Sequence, residues 1–206
     1  GFEHEGHSIP LSTEMHPVFE EEVIEEKEAS VIMRGADGIL AERYLNDVDE
    51  SSIPRYIRFP METPDDWPDF KERYNPDDPV RAVSTETIDQ ARKAHDAGVC
   101  VRVFFIGFYG QLRNWTGMEN LSYAFYDYPD MIHDMVSHWA DVCVRQLNRL
   151  PEDVIIDEVD WWEDMAGKNG PLVSPDVFRE FLQPGYHTVM TAAKNRGCVI
   201  SMVDSD

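Results

Sequence analysis

Carboxylates cluster where the chain is otherwise apolar. The segment Asp157-Glu158-Val159-Asp160-Trp161-Trp162-Glu163-Asp164-Met165 places five acidic side chains within eight residues, beside two tryptophans. It leads out of Val154–Val159, an apolar run that reads as a strand. Carboxylates beside a core are costly to bury without partners, so their position invites a chemical reading. Three chemistries suit them: a general acid/base pair with a raised pKa, ligands for a hard cation, or a grip on an amine or hydroxyl. Asp160, Trp162, Glu163 and Asp164 are the candidates. The plainer alternative is a solvated loop with Lys168 and nearby arginines as counterions. Val203-Asp204-Ser205-Asp206 supplies a second acidic pair. Carboxylates spaced i, i+2 share one side of a strand, so Asp204 and Asp206 can converge with Glu163 or Asp164 on one pocket. An exposed turn is the alternative there.

A third candidate is Gly107–Gly117, GFYGQLRNWTG, read as a loop whose glycines permit tight turns near a ligand. Tyr109, Arg113, Asn114 and Trp115 offer stacking, charge and amide contacts, unless the aromatics simply fill the core. No nucleophile elbow, P-loop, HExxH or zinc-finger spacing occurs. Cys100, Cys143 and Cys198 are widely spaced and form no CxxC, which points to a reducing cytoplasm rather than a disulfide framework. These residue types single out no particular metal.

These groups must be held by regular elements. Val99–Phe108 is β-branched and aromatic with Arg102 as its only charge, which predicts a buried strand. Asp130–Leu150 carries apolar residues at helical spacing, with His133 and His138 at its surface or edge. Ser174 before Pro175 and Asp176 predicts a helix start, Arg196-Gly197 its stop, and Cys198–Val203 a third buried strand. Strand, helix, strand, helix, strand implies parallel pairing through right-handed crossovers. The candidates are a doubly wound sheet and a (β/α)8 barrel, and no GxGxxG follows the first strand. Residues 1–96 form a different texture. Val31–Arg34 and Ile39–Tyr44 flank a Gly/Asp turn and predict a hairpin, with Ile53–Phe59 as a third strand. Phe19–Glu28 reads as a polar helix or extended arm, and His4, His7 and His16 as a flexible start. The division expected is therefore 1–96, an acidic arm, hairpin and capping segment, and 97–206, the strand–helix part.

The 206 residues hold 40 Asp+Glu against 18 Lys+Arg, a net charge of −22. Such a field repels phosphate backbones and anionic headgroups, which argues against nucleic acid and acidic membrane as partners. No apolar run is long enough to span a bilayer. With 42% hydrophobic and 11% aromatic residues, the chain can fill a core.

The runs GFYGQLRNWTGMENLSYAFYDYPDMIHDMV, WWEDMAGKNGPLVSPDVFREFLQPGYH and VISMVDSD resemble the uroporphyrinogen decarboxylase superfamily, which includes cobalamin- or corrinoid-dependent methyltransferases. PRYIRFPMETPDDWPDFKERYNPDDPVR looks like the segment before the barrel core in the methyltransferase-like branch. The resemblance covers about residues 50–206. It implies a (β/α)8 TIM barrel, of which this chain would carry about three strands and stop in mid-barrel, since such barrels need about 250 residues. It also implies a small-molecule substrate, methyl transfer to a corrinoid on a partner protein, and a site of Glu163, Asp164, Asp204 and Asp206 lined by Tyr109, Arg113 and Trp115. Two departures matter. No RQAGRY-like arginine segment for an octa-carboxylate porphyrinogen is present, which makes decarboxylation the second reading. Asp204-Ser205-Asp206 stands where a zinc-binding His-x-Cys would be, which argues against a zinc–thiolate site. A non-catalytic acidic module docking a basic partner is a third reading, and a homo-oligomer is compatible with any of them.

Overall fold

A computed structural model describes residues 6–45 and 53–205. In chain order the first half forms β1 (Gly6–Ile9), β2 (Glu22–Glu26), β3 (Ser30–Arg34), β4 (Leu40–Tyr44), β5 (Arg55–Arg58), α1 (Trp67–Lys71) and α2 (Thr85–Asp96). The second half forms β6 (Cys100–Ile106), α3 (Phe108–Thr116), α4 (Met118–Asp127), α5 (Pro129–Arg149), β7 (Glu158–Trp162) and a short β8/β9 pair (Ala166–Gly167, Gly170–Pro171). Then α6 (Pro175–Val177) runs through a π turn into α7 (Gln183–Lys194), and β10 (Ile200–Asp204) follows.

The chain is a mixed α/β protein. Its central sheet has four strands, ordered β1-β6-β7-β10, and every neighbouring pair is parallel. Spatial order follows chain order without reversal. Three of these strands, β6, β7 and β10, are legible in the sequence. The fourth, β1, comes from the segment expected to be flexible, and it carries His7. Residues 12–14 downstream of it are fixed by Arg81, which is fully buried and donates hydrogen bonds to the carbonyls of Ser12 and Glu14 at 3.0 and 2.8 Å.

Helices cover one face of this sheet. Val101, Val103, Phe105, Val159 and Trp161 point into that side and are buried. Their alternates, Arg102, Phe104, Asp160 and Trp162, share the other face, where Phe104 is 51% exposed. β10 is exposed along its whole length. The expectation that Val99–Phe108 and Cys198–Val203 are buried strands is thus corrected: the first is buried on one face only, and of the second only Cys198, which precedes β10, is buried. The strand expected at Val154–Val159 begins later, at Glu158. Val154 and Ile156 are buried as packing residues, while Asp157 ties the approach to the sheet, its Oδ2 accepting from the Val101 N–H at 2.8 Å. Glu158 and Asp160 therefore lie within a strand rather than beyond one.

The helical layer follows local signals. Pro129 opens α5, and of the apolar stripe that the periodicity predicts, Met135, Trp139, Val142 and Leu147 are buried, while Met131 is only partly buried and its neighbour Ile132 takes the core position. Trp139 packs with Trp115 and Tyr74, and its indole N–H donates to the Ile106 carbonyl at 3.0 Å. Ser174 caps α6, accepting from the Val177 N–H, as its position before Pro175 predicts.

A second sheet, β2-β3-β4-β5, is antiparallel. The β3/β4 hairpin and the added β5 match the sequence reading. Phe19–Glu28 takes the extended option rather than the helix. Val23 and Ile24 favour a strand, and the glutamates charge an open edge against further pairing.

Candidate functional site

The C-terminal ends of β6, β7 and β10 lie side by side, with Ile106, Trp162 and Asp204 in one row of the register. The ladder continues one step further. The Gly107 N–H donates to the Trp162 carbonyl at 2.8 Å, and the Glu163 N–H donates to the Asp204 carbonyl at 2.7 Å.

Glu163 turns away from the open face and into the protein, where its exposure is 0%. Its carboxylate accepts the Tyr109 N–H at 2.9 Å, the Gly110 N–H at 2.7 Å and the Tyr186 hydroxyl. Those two amides are orphan donors of the first turn of α3, and the helix's own cap residue, Gly107, has no side chain to satisfy them. Glu163 is a cap supplied from across the sheet, and its charge complements the positive end of the helix dipole. Gly107 is required for it: a Cβ there would lie 2.5 Å from the Glu163 carboxyl carbon and 2.7 Å from the Tyr186 hydroxyl oxygen. Burial raises the Glu163 pKa above the usual glutamate range. The Tyr186 hydroxyl, the two amides and the Arg113 charge pull in the opposite direction. Burial and the adjacent Glu163 push the Tyr186 phenol far above its ordinary value.

Gly107–Gly117 is a helix, α3, and not the loop that its glycines suggest. Tyr109 is buried, with its hydroxyl lacking a hydrogen-bond partner among the described residues, and burial raises its pKa. Trp115 is a core residue, packed against Trp67, Phe70, Tyr74 and Trp139. Neither lines an open site. Asn114 is half-buried, and among the described residues no side-chain hydrogen bond joins it to the strand ends.

Arg113, Asp164 and Trp162 do come together. Arg113 Nη2 lies 3.1 Å from Asp164 Oδ2, and the guanidinium carbon sits 5.1 Å from the centre of a Trp162 ring. This is an ion pair laid over an aromatic face, with all three groups partly accessible. Asp204 is exposed, one strand away from Trp162 in the same row. One row deeper are Phe104, Asp160 and Met202, with Arg102 Nη1 3.8 Å from Asp160 Oδ2. Arg102 is a residue that the sequence reading passed over. Its signal was there, as the only charge in β6, at a position alternating with Val101 and Val103. Asp206 lies outside the described residues.

Among the described residues no three His, Cys, Asp or Glu side chains converge to hold a metal ion. Cys100 donates to Glu158 at 3.4 Å, and burial together with that partner raises the thiol to about 11, so it stays protonated at neutral pH. No helix among the described residues is long and apolar enough to cross a membrane.

The fold and site define a mixed α/β protein whose polar groups gather at the carboxyl ends of parallel strands, on the face that helices leave open. The chain matches no protein-family model and no curated protein.

Proposed function

We propose that this chain belongs to a (β/α)8-type enzyme of the uroporphyrinogen decarboxylase superfamily, one that moves a methyl group between a small methylated substrate and a corrinoid carried on a partner protein. The observation that carries the reading is the row Ile106–Trp162–Asp204 on the uncovered face, with the Arg113–Asp164 pair over Trp162. Strands in chain order without reversal suit a barrel better than a doubly wound sheet, and barrel enzymes work at the carboxyl ends of their strands. The motif resemblance adds the chemistry.

The corrinoid, when its carrier docks, supplies the methyl acceptor. This chain's part is to hold the donor. Trp162 gives the methylated end an aromatic surface, and Asp164 and Asp204 hold an ammonium or hydroxyl group beside it. Arg113 holds Asp164 in place through their ion pair. Glu163, one of the four candidate carboxylates in the sequence, is a positioning residue here, because its oxygens are taken up by α3 and Tyr186. Zinc does not fit: serine and carboxylates occupy the strand end, and Cys100 is a protonated thiol within β6.

The test is demethylation of a panel of methylated amines and methoxyarenes by the natural full-length protein, followed as consumption of cob(I)alamin. Turnover is expected, with Asp204→Asn lowering kcat/KM by about a hundred-fold or more while the melting temperature stays unchanged, because Asp204 is exposed. Absence of methyl transfer together with release of CO2 from uroporphyrinogen would replace this reading with decarboxylation.

A further inference from the structure

We infer that the antiparallel sheet carries a binding site for a small organic anion with an apolar body, an aromatic carboxylate being the class that fits best. The site is separate from the strand-end groups and uses none of them.

Arg34, Leu40 and Arg58 are register partners across β3, β4 and β5, so they stand on one face with Leu40 between the two arginines. Strands lie about 4.8 Å apart, which places the arginine backbones about 10 Å from each other, within reach of one anion for two long side chains. Around them is a cleft of about 270 Å³ with Phe19 and Phe59 among its walls and no carboxylate in its lining. In a chain of net charge −22, a cleft lined by two guanidiniums and no acid runs against the surrounding field. Its size suits a ligand smaller than most drug-sized molecules.

The walls are fixed in advance. Phe19 is clasped between Gly38, where a Cβ would fall 2.6 Å from its ring, and Arg73, whose guanidinium carbon lies 3.8 Å from the ring centre. Phe59 rests on Gly117, where a Cβ would fall 2.5 Å away. Both glycines have positive φ, +81° and +79°, so each turn brings bare backbone against an aromatic wall. A rigid apolar slot beneath two cations selects a flat ring bearing an anionic group.

Each arginine already has one carboxylate outside the cleft. Arg34 Nη2 meets Glu22 at 2.8 Å and Arg58 Nε meets Glu62 at 3.2 Å. These are exposed pairs of the kind that contribute little, and among the described residues the other guanidinium N–H groups of Arg58 and the Nη1 of Arg34 make no protein hydrogen bond. A ligand carboxylate can take those donors in the paired geometry that guanidinium favours.

The experiment is calorimetric titration of the natural full-length protein with benzoate, acetate, benzyl alcohol and benzylamine, with amide chemical shifts recorded for the benzoate complex. Benzoate is expected to bind more tightly than acetate or benzyl alcohol, and benzylamine not at all, with shifts centred on Leu40 and Gly38. Arg34→Gln and Arg58→Gln should each weaken benzoate about ten-fold, with unchanged melting temperatures. Failure of benzoate to bind at about 10 mM, equal binding by the Arg34→Gln/Arg58→Gln double variant, or shifts located elsewhere would each overturn the assignment.

Discussion

In the sequence Glu163 is one of four candidate catalytic carboxylates, beside tryptophans at the end of a strand. The structure gives the same residue three donors and no solvent. Removing it strands the Tyr109 and Gly110 amides in a buried site, and an unsatisfied buried donor to a charged group costs more than the bond itself contributes. Glu163→Ala is therefore expected to lower the unfolding free energy by about 3 kcal/mol in urea titrations, where an unchanged midpoint would remove its capping role. A pH series separates burial from capping. Because the folded-state pKa of Glu163 lies above that of the unfolded chain, the folded protein binds the proton more strongly. Its contribution is then largest in acid and falls as pH rises from the ordinary glutamate value to the raised one. Asp78, Asp134 and Asp153 run the other way, since their partners lower their pKa values and their stabilisation is lost as pH falls. The difference between wild type and Glu163→Gln cancels them. It should shrink as pH climbs through the window, and a growing difference would show that the amide donors outweigh burial.

Both β1 and α3 are concealed in the sequence, and α3 is the one that bears on the site. The hairpin, α5 and the Ser174 cap were legible because their signals are local: a turn between β-branched runs, a stripe at helical spacing, a hydroxyl before proline. The N-terminal cap of α3 comes from a residue more than fifty positions downstream, so no window around Gly107 contains it. What the window does contain is three glycines in eleven residues, a loop signal. The position of β7 was hidden for a related reason: Val154 and Ile156 are apolar for packing, while the ladder begins at Glu158. Asp164 with Arg113 and Trp162 was legible in part, since residue types announced a polar site, but only the placement of α3 beside the end of β7 shows which of them meet. The far end of α3 gives a test at this scale. Gly117 has φ of +79° and a Cβ there would meet Phe59 at 2.5 Å. Gly117→Ala is expected to cost about 2 kcal/mol or more, strain and clash together. Ser174→Ala, which removes a local cap only, is the reference at about 1 kcal/mol. Equal costs for the two would mean that the α3–α4 junction adapts to a side chain.

At the scale of the whole molecule, a strong negative charge and an open sheet edge act against each other. β10 is exposed on both faces, with Met202 and Val203 each about half exposed, and among the described residues no strand pairs with its outer edge. An apolar strand edge of this kind is adhesive. Repulsion between copies of charge −22 opposes that contact at neutral pH and low salt. The ion pairs between described residues are mostly exposed and contribute little to stability, so screening should relieve more repulsion than attraction. The melting temperature of the 206-residue chain is expected to rise between about 10 and 150 mM NaCl, as the screening length shortens from about 30 to 8 Å. Near the sequence pI of 4.5, where the charge vanishes, the same chain should associate through β10. Light scattering across that pH range measures it, and Val203→Lys is the variant that decides the route. One added charge barely alters the total of −22, yet a lysine on an open strand blocks pairing. Val203→Lys should therefore stay dispersed where the parent associates. If both associate alike, charge neutralisation alone is responsible and the edge of β10 plays no part.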